Sequence, residues 1–129
     1  MIATGSDDRT IRIWDAATGV TMRVISALPR DVFGLAFDPS GRVIYCVGRG
    51  PELLVLDTAT GAELASLIRH EKSVFRVVPL PGGRGLMTGG EDPWISVWDF
   101  DRLRSYVRGN APMWQATPDG VGVSGHRAR

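Results

Sequence analysis

Two histidines, His70 and His126, are the side chains of this sequence best suited to acid–base chemistry. Ser73, Asp31 and His70 could be written as a nucleophile, acid and base triad. Such a triad is defined by geometry, and serine, histidine and aspartate are common residues, so this spacing carries almost no information. We therefore predict no catalytic residue and a protein that is not an enzyme.

Cys46 is the only cysteine and lies in the apolar run RVIYCVG, which is typical of a buried, inert thiol. One cysteine excludes an internal disulfide and a cysteine zinc cluster. His70 is followed by Glu71 but lacks the second histidine of a zinc-binding helix, and the glycine-rich stretches VGRGPE and GGRG lack a P-loop lysine. We predict no metal and no cofactor.

The composition is that of an ordinary globular chain: 129 residues, 43% hydrophobic, 22% charged and a formal net charge of +1. This charge gives no reason to expect a nucleic-acid partner. Five arginines lie near the C-terminus: Arg102, Arg104, Arg108, Arg127 and Arg129. They indicate either a solvated terminus or a patch that docks anionic groups. No segment resembles a signal peptide or a membrane span, so we predict a cytoplasmic protein with no membrane partner.

A repeat organises the chain. Trp14, Leu56 and Trp98 are evenly spaced, each 42 positions after the last, and an aspartate follows each of them. The same shift aligns FGLAFDPSGRVIYCVG with FRVVPLPGGRGLMTGG and DAATG with DTATG, without gaps. A constant period of roughly 20–50 residues is typical of repeat architectures.

Two acidic pairs, Asp7-Asp8 and Glu91-Asp92, are separated by two of these periods. Aspartate before a short loop commonly hydrogen-bonds the backbone two residues further on. A recurring position therefore indicates turn chemistry rather than a catalytic pair of carboxylates.

Each period reads as short strands separated by turn residues. VFGLAF, RVIYCV, ELLVLD and ELASLI are rich in β-branched and other apolar residues, and DPSG, GRGP and TATG lie between them. No stretch shows the 3.6-residue period of a helix. We predict an all-β chain of blades with four antiparallel strands each, as in a β-propeller.

On these residues the chain resembles the WD-repeat β-propeller family over about residues 1–108. The resemblance implies that a histidine, a hydroxyl, an aspartate and a tryptophan form a buried hydrogen-bonded chain within a blade. It assigns His70, Thr88, Asp92 and Trp98 to this structural network, and Thr4, Asp8 and Trp14 to an incomplete copy in the first unit. The second unit has Leu28, Cys46, Gly50 and Leu56 at these positions, so no polar group is left alone there.

We divide the chain into an incomplete first unit 1–17, a degenerate repeat 18–59, the best-formed repeat 60–101 and an irregular or truncated next blade 102–129. APMWQATPDGVGVSG reads as the inner strands of that blade or as a tail, and Gly125-His126 falls out of phase with the repeat. About three blades are fewer than the 4–8 of a closed propeller. The chain is therefore expected to be part of a longer propeller, a head-to-tail oligomer that closes the ring, or a fragment without activity of its own.

The resemblance also implies a protein-binding rim at the turns between the second and third strands and at the start of the innermost strand. Carried over position by position, this rim comprises Asp7, Arg49, Glu91, Asp31, Phe33, Ser73 and Phe75. Trp94 replaces polar residues of the other units and reads as a further rim residue or as packing between blades. The resulting prediction is a non-enzymatic scaffold for protein partners; the alternative is a segment of a larger enzyme or signalling protein.

Overall fold

The structure is a computed structural model that describes residues 1–107. It contains three antiparallel sheets, one of four strands and two of three strands. The first sheet consists of β1 (Ile2–Gly5), β2 (Ile11–Trp14) and β3 (Thr21–Ile25). The second consists of β4 (Val32–Phe37), β5 (Val43–Gly48), β6 (Glu52–Asp57) and β7 (Glu63–Ile68). The third consists of β8 (Val74–Pro79), β9 (Gly85–Gly90) and β10 (Ile95–Asp99), followed by helix α1 (Phe100–Val107).

The repeat of the sequence is also a repeat of backbone geometry. β4 and β8 begin one period apart, and so do β5 and β9. Even the irregularities recur, because a bulge lies between Val32 and Gly34 in β4 and between Val74 and Arg76 in β8. Within each sheet, every strand pairs with its neighbour in the chain, so short turns build each sheet locally.

The sheets stack face to face, and the second sheet is covered on both faces. Along β5 the side chains alternate: Ile44 and Cys46 belong to the apolar cluster shared with the first sheet, and Tyr45 and Val47 to the cluster shared with the third. Successive residues of a strand point to opposite faces. The continuous apolar run of β5 therefore follows from burial on both sides.

The predicted fold class is confirmed: the sheets are antiparallel and the second one has the four strands expected of a blade. The predicted units 18–59 and 60–101 are offset from the sheets by one strand, because β7 lies beyond residue 59 but pairs with β6. Within residues 1–107, no helix combines the length and apolar character that a membrane span requires.

Helix α1 corrects the expectation that no stretch is helical. The equivalent aspartates Asp15, Asp57 and Asp99 each accept two backbone hydrogen bonds from the turn that follows. After the first two, Gly19 and Gly61 adopt positive φ angles of 73° and 76° and direct the chain into β3 and β7.

Leu103 stands at the position equivalent to these two glycines. A residue with a β-carbon disfavours the left-handed conformation, so the chain continues as α1 instead of turning back. Residues 108–129, with APMWQATPDGVGVSG, His126, Arg108, Arg127 and Arg129, lie outside the described part of the chain.

Candidate functional site

A buried hydrogen-bonded chain crosses the third sheet. Trp98 Nε1 donates to Thr88 Oγ1 at 2.8 Å, and Thr88 Oγ1 lies 2.9 Å from His70 Nε2. His70 Nδ1 lies 3.0 Å from Asp92 Oδ2. Because an ionised carboxylate only accepts, Nδ1–H donates to Asp92 and Nε2 accepts from Thr88. The structure thus brings these four predicted residues together, all of them buried.

Asp92 also holds the loop that leads into β8. Its carboxylate accepts from the backbone N–H of Glu71 at 3.2 Å and of Lys72 at 3.3 Å. This loop carries Ser73, the first residue of the predicted rim in the third sheet. The buried network therefore fixes the backbone of an exposed loop.

Trp94, which the sequence left open as a rim residue or as packing, packs within the third sheet. Its ring stacks on the His70 imidazole, with 6.4 Å between centroids and 6° between planes, and its Nε1 donates to the Arg69 carbonyl at 3.4 Å. The residue is only 7% exposed, so it covers the buried network and does not face solvent. A large apolar ring gains more from this burial than from exposure at a loop.

The first sheet holds a partial copy of the network. Trp14 Nε1 donates to Thr4 Oγ1 at 2.9 Å, as Trp98 does to Thr88. Asp8 instead accepts from the hydroxyl of Thr10 at 2.6 Å and from its backbone N–H at 3.0 Å. The Thr10 hydroxyl bond lowers the pKa of Asp8 below its usual value. The structure therefore joins Thr4 to Trp14 and places Asp8 in a separate turn.

The second sheet replaces the network by apolar packing. Leu28, Cys46 and Leu56 are buried members of one cluster between the first and second sheets. Burial raises the pKa of the Cys46 thiol to about 12. A thiol in such surroundings is inert near neutral pH.

A partly exposed aromatic cluster joins the second and third sheets. The rings of Phe33 in β4 and Phe75 in β8 lie 5.5 Å apart. The Arg49 guanidinium lies 5.5 Å from the Phe33 ring centroid, and its Nε donates to Asp31 Oδ2 at 2.9 Å. Phe75 is 43% exposed. We call Asp31, Phe33, Arg49, Ser73 and Phe75 the aromatic rim.

Ser73 ties the two loops of the aromatic rim together. The backbone N–H of Gly50, in the β5–β6 turn, donates to Ser73 Oγ at 3.1 Å. The carbonyl of Ser73 accepts from Glu91 N at 3.0 Å in the β9–β10 turn. Glu91 and Asp7 lie exposed in equivalent turns of the third and first sheets, without a place in the aromatic rim itself.

The three residues of the hypothetical triad have separate contacts. Ser73 Oγ accepts from Gly50, Asp31 pairs with Arg49, and His70 bonds to Thr88 and Asp92. In residues 1–107, no group of three or more histidine, cysteine, aspartate or glutamate side chains could hold a metal ion. This edge presents aromatic and charged side chains to its surroundings.

Two features of the structure escaped prediction from the sequence. Arg104 of α1 donates to the buried carboxylate of Asp38 at 3.2 Å, and Thr58 is buried between the first and second sheets. The available signal was the loss of glycine at position 103, where the two preceding repeats have one. That change predicts a different path for the chain after Asp99.

Comparison with known proteins agrees with this geometry. The family model for the WD domain, G-beta repeat, matches residues 1–15 and 61–99. The chain is 30% identical over 116 residues to the WD repeat-containing protein VIP3 of Arabidopsis thaliana, covering 79% of this chain and 36% of that protein. It is 29% identical over 109 residues to the nuclear distribution protein PAC1 of Arthroderma otae, covering 78% and 24%. It is 36% identical over 70 residues to transcription initiation factor TFIID subunit 5 of Caenorhabditis elegans, covering 54% and 11%.

Stacked antiparallel sheets that recur at a constant period, with a His-Thr-Asp-Trp network, define a protein built of propeller blades. The chain belongs to the WD-repeat family. It spans between 11% and 36% of the length of the three relatives described above.

Proposed function

We propose that the chain is a non-enzymatic protein-interaction scaffold that binds protein partners at the aromatic rim. The observation that carries the proposal is the ring pair of half-buried Phe33 and exposed Phe75, with exposed Arg49 beside it. Aromatic residues and arginine are enriched in the cores of protein interfaces. A solvent-facing cluster of these types fits the core of a docking site.

The surroundings of the rim support a rigid site. Asp92 holds the backbone before Ser73, and Ser73 in turn accepts from Gly50 in the neighbouring sheet. A surface that is already ordered loses little conformational entropy when a partner binds. The buried network therefore contributes to affinity from a distance, by holding the loops that carry the contacts.

The charges of the rim favour a partner with mixed polarity. Arg49 pairs with Asp31, so this pair presents both signs beside the apolar rings. A partner that offers an aromatic or aliphatic side chain to Phe75 and polar groups to this ion pair suits the surface. We also propose that the protein lies in the cytoplasm and that this segment has no enzymatic activity.

The exposed face of the third sheet is a second surface on which a partner could pack. Val78 and Ile95 in the third sheet are 45% and 38% exposed, and their equivalents Ala36 and Leu53 in the second sheet are buried against the third. A further sheet therefore fits on the third one. We propose that it comes from another part of a longer propeller or, as the rival possibility, from a second copy bound head to tail.

Affinity purification with matched variants tests the scaffold role. The tagged chain is purified from the cells that express it, beside Arg49→Ala/Phe75→Ala and the control Arg102→Ala/Ile68→Ala. The control also removes one exposed arginine and one half-exposed apolar side chain, because Ile68 is 45% exposed. We expect specific proteins to be lost from the rim variant and retained by the control.

Folding of both variants is checked by near-ultraviolet circular dichroism. If all three baits retain the same proteins, the aromatic rim is not the binding surface. A protein retained by both variants but lost on Trp98→Ala depends on the fold alone.

A further inference from the structure

A groove of about 660 Å³ opens between the first and second sheets, at the edge opposite the aromatic rim. Met1, Ile13 and Met22 line one side, and Arg42, Asp57 and Thr58 line the other. We call it the first groove. Met1 and Met22 are 56% and 57% exposed, so its apolar wall faces solvent.

The equivalent groove between the second and third sheets is filled. The residues at the equivalent positions, one repeat after Met1, Ile13 and Met22, are Val43, Val55 and Leu64. These three residues lie in the apolar cluster that also contains Phe100 and Leu103 of α1. Phe100 and Leu103 are 2% and 0% exposed, so this apolar pair of α1 is buried in the groove between the second and third sheets. The equivalent space in the first groove is open.

Thr58 occupies the position in the first groove that Phe100 occupies in the filled one. Thr58 N donates to the Arg42 carbonyl at 3.0 Å, and Phe100 N donates to the equivalent Arg84 carbonyl at 3.0 Å. Both residues therefore make the same backbone hydrogen bond, and the side chain differs by a whole aromatic ring. Beyond this bond the two segments diverge, because the segment at the first groove turns back at Gly61 and no helix of residues 1–107 fills the space.

The Thr58 hydroxyl indicates that a molecule bound in the first groove carries a polar group at this point. The residue is 8% exposed, and among the described residues its Oγ1 has no hydrogen-bond partner. A buried hydroxyl without a partner costs free energy that a bound group with an acceptor can recover. Arg23 and Arg42 lie exposed beside it, and neither forms an ion pair with a described residue.

We propose that the first groove is a docking site for a short amphipathic helix of a protein partner. The helix inserts two bulky apolar side chains spaced i and i+3, as Phe100 and Leu103 do in the filled groove. Residues at this spacing lie on one face of a helix. The Thr58 hydroxyl donates a hydrogen bond to a side chain of the helix. An acidic residue of the helix forms an ion pair with Arg23 or Arg42.

The choice of a helix rests on the occupant of the equivalent groove, since α1 shows which shape fits between two of these sheets. We assign this helix to a protein partner because α1 is already in place elsewhere. The ion pair of Arg104 with Asp38 holds α1 in the groove between the second and third sheets. This site lies apart from the aromatic rim, so the two proposals stand or fall separately.

A peptide with the sequence of residues 99–107 is the probe. The full chain is labelled with ¹³C at its methionine methyl groups, of which there are four. Met1 and Met22 line the first groove, whereas Met87 lies in β9 of the third sheet. We expect the peptide to shift the Met22 signal saturably and to leave Met87 unchanged, and the same peptide with Phe100→Ala and Leu103→Ala to have no effect.

Thr58→Phe in the chain separates the first groove from displacement of α1. The new ring fills the groove as Phe100 fills its own, so we expect a higher melting temperature than for Thr58→Ser and binding weakened at least about tenfold. If Thr58→Phe does not fold, Met22→Glu at the exposed wall serves instead, with the Met1 signal as readout and the same loss expected.

Three results overturn the proposal. The first is a Met22 signal that the peptide does not move. The second is equal binding of the alanine peptide. The third is binding that persists unchanged in Thr58→Phe or Met22→Glu, because the peptide is then bound elsewhere, including in the groove of α1 or against the residues beyond 107.

Discussion

Phe33 and Phe75 are equivalent residues of consecutive repeats, 42 positions apart in sequence, and their rings lie 5.5 Å apart in the folded chain. They meet because β4 and β8 belong to neighbouring sheets, contact each other and begin one period apart. Stacking of repeats thus turns one recurring residue type into a continuous aromatic surface. This relationship is the physical basis of the proposed binding site.

Replacing Trp98 by alanine should destabilise the chain by about 3–5 kcal/mol, since it removes a large buried side chain and leaves a cavity. Trp98 is 1% exposed, whereas Arg12 is exposed and provides the control Arg12→Ala. Urea unfolding of both variants gives the two free energies. Equal losses of stability for Trp98→Ala and Arg12→Ala would mean that Trp98 does not anchor the core.

Thr88 and Trp98 should be energetically coupled through their 2.8 Å hydrogen bond. Thr88→Val leaves both Trp98 Nε1 and His70 Nε2 without their partner and should cost about 1–3 kcal/mol. Trp98→Phe removes the donor, so the double variant should lose about 0.5–1.5 kcal/mol less than the sum of the single variants. Additivity of the two changes within about 0.3 kcal/mol speaks against a coupled network.

The attachment of α1 should depend on pH through Asp38. Burial opposes ionisation of this carboxyl, but the hydrogen bonds from Ser40 and Arg104 outweigh it and lower its pKa below the usual value. A carboxyl with a lowered pKa in the folded state stabilises the protein above its unfolded pKa of about 3.9, and this contribution is lost as the pH falls through the folded-state value. The difference in unfolding free energy between the natural chain and Asp38→Asn should therefore shrink below about pH 4.

Arg104→Ala checks the same contact at neutral pH. The Arg104 side chain is 38% exposed, so its loss should cost no more than about 1 kcal/mol. Arg102→Ala, on the exposed side of α1, should cost less. A pH-independent difference for Asp38→Asn, or equal effects of the two arginine changes, contradicts the assigned role of Asp38.

Association in solution should depend on the exposed face of the third sheet. If copies bind head to tail, light scattering should give a multiple of the chain mass that rises with concentration. Val78→Glu/Ile95→Glu should return the mass to that of one chain, because two charges then face the apolar surface of the partner. Glu63→Lys, an exposed change in β7, is the control.

A mass of one chain for the unsubstituted protein at every concentration rules out head-to-tail copies. The proposed source that remains is another part of a longer propeller. The aromatic rim lies on a different edge, so this outcome leaves its own test unaffected.

The strands and their order follow from local patterns in the sequence. Turn residues such as DPSG and TATG separate apolar runs at a constant period, and antiparallel neighbours need only short turns. Even the departure at α1 has a local cause, because Leu103 replaces the glycine that turns the chain back after Asp15 and Asp57. These features depend on neighbouring residues, and a repeat displays them several times.

The surfaces depend instead on how the sheets stack, which no local pattern encodes. Trp94 reads equally as a docking residue or as packing until its ring is found on His70. Arg104 meets Asp38 from a distant part of the chain, and Thr58 lies in an open groove whose counterpart is closed by Phe100. Burial and contact between distant residues are properties of the assembled sheets. The fold and the residues of the aromatic rim could therefore be inferred from the sequence, whereas the contacts within that rim and the first groove required the tertiary structure.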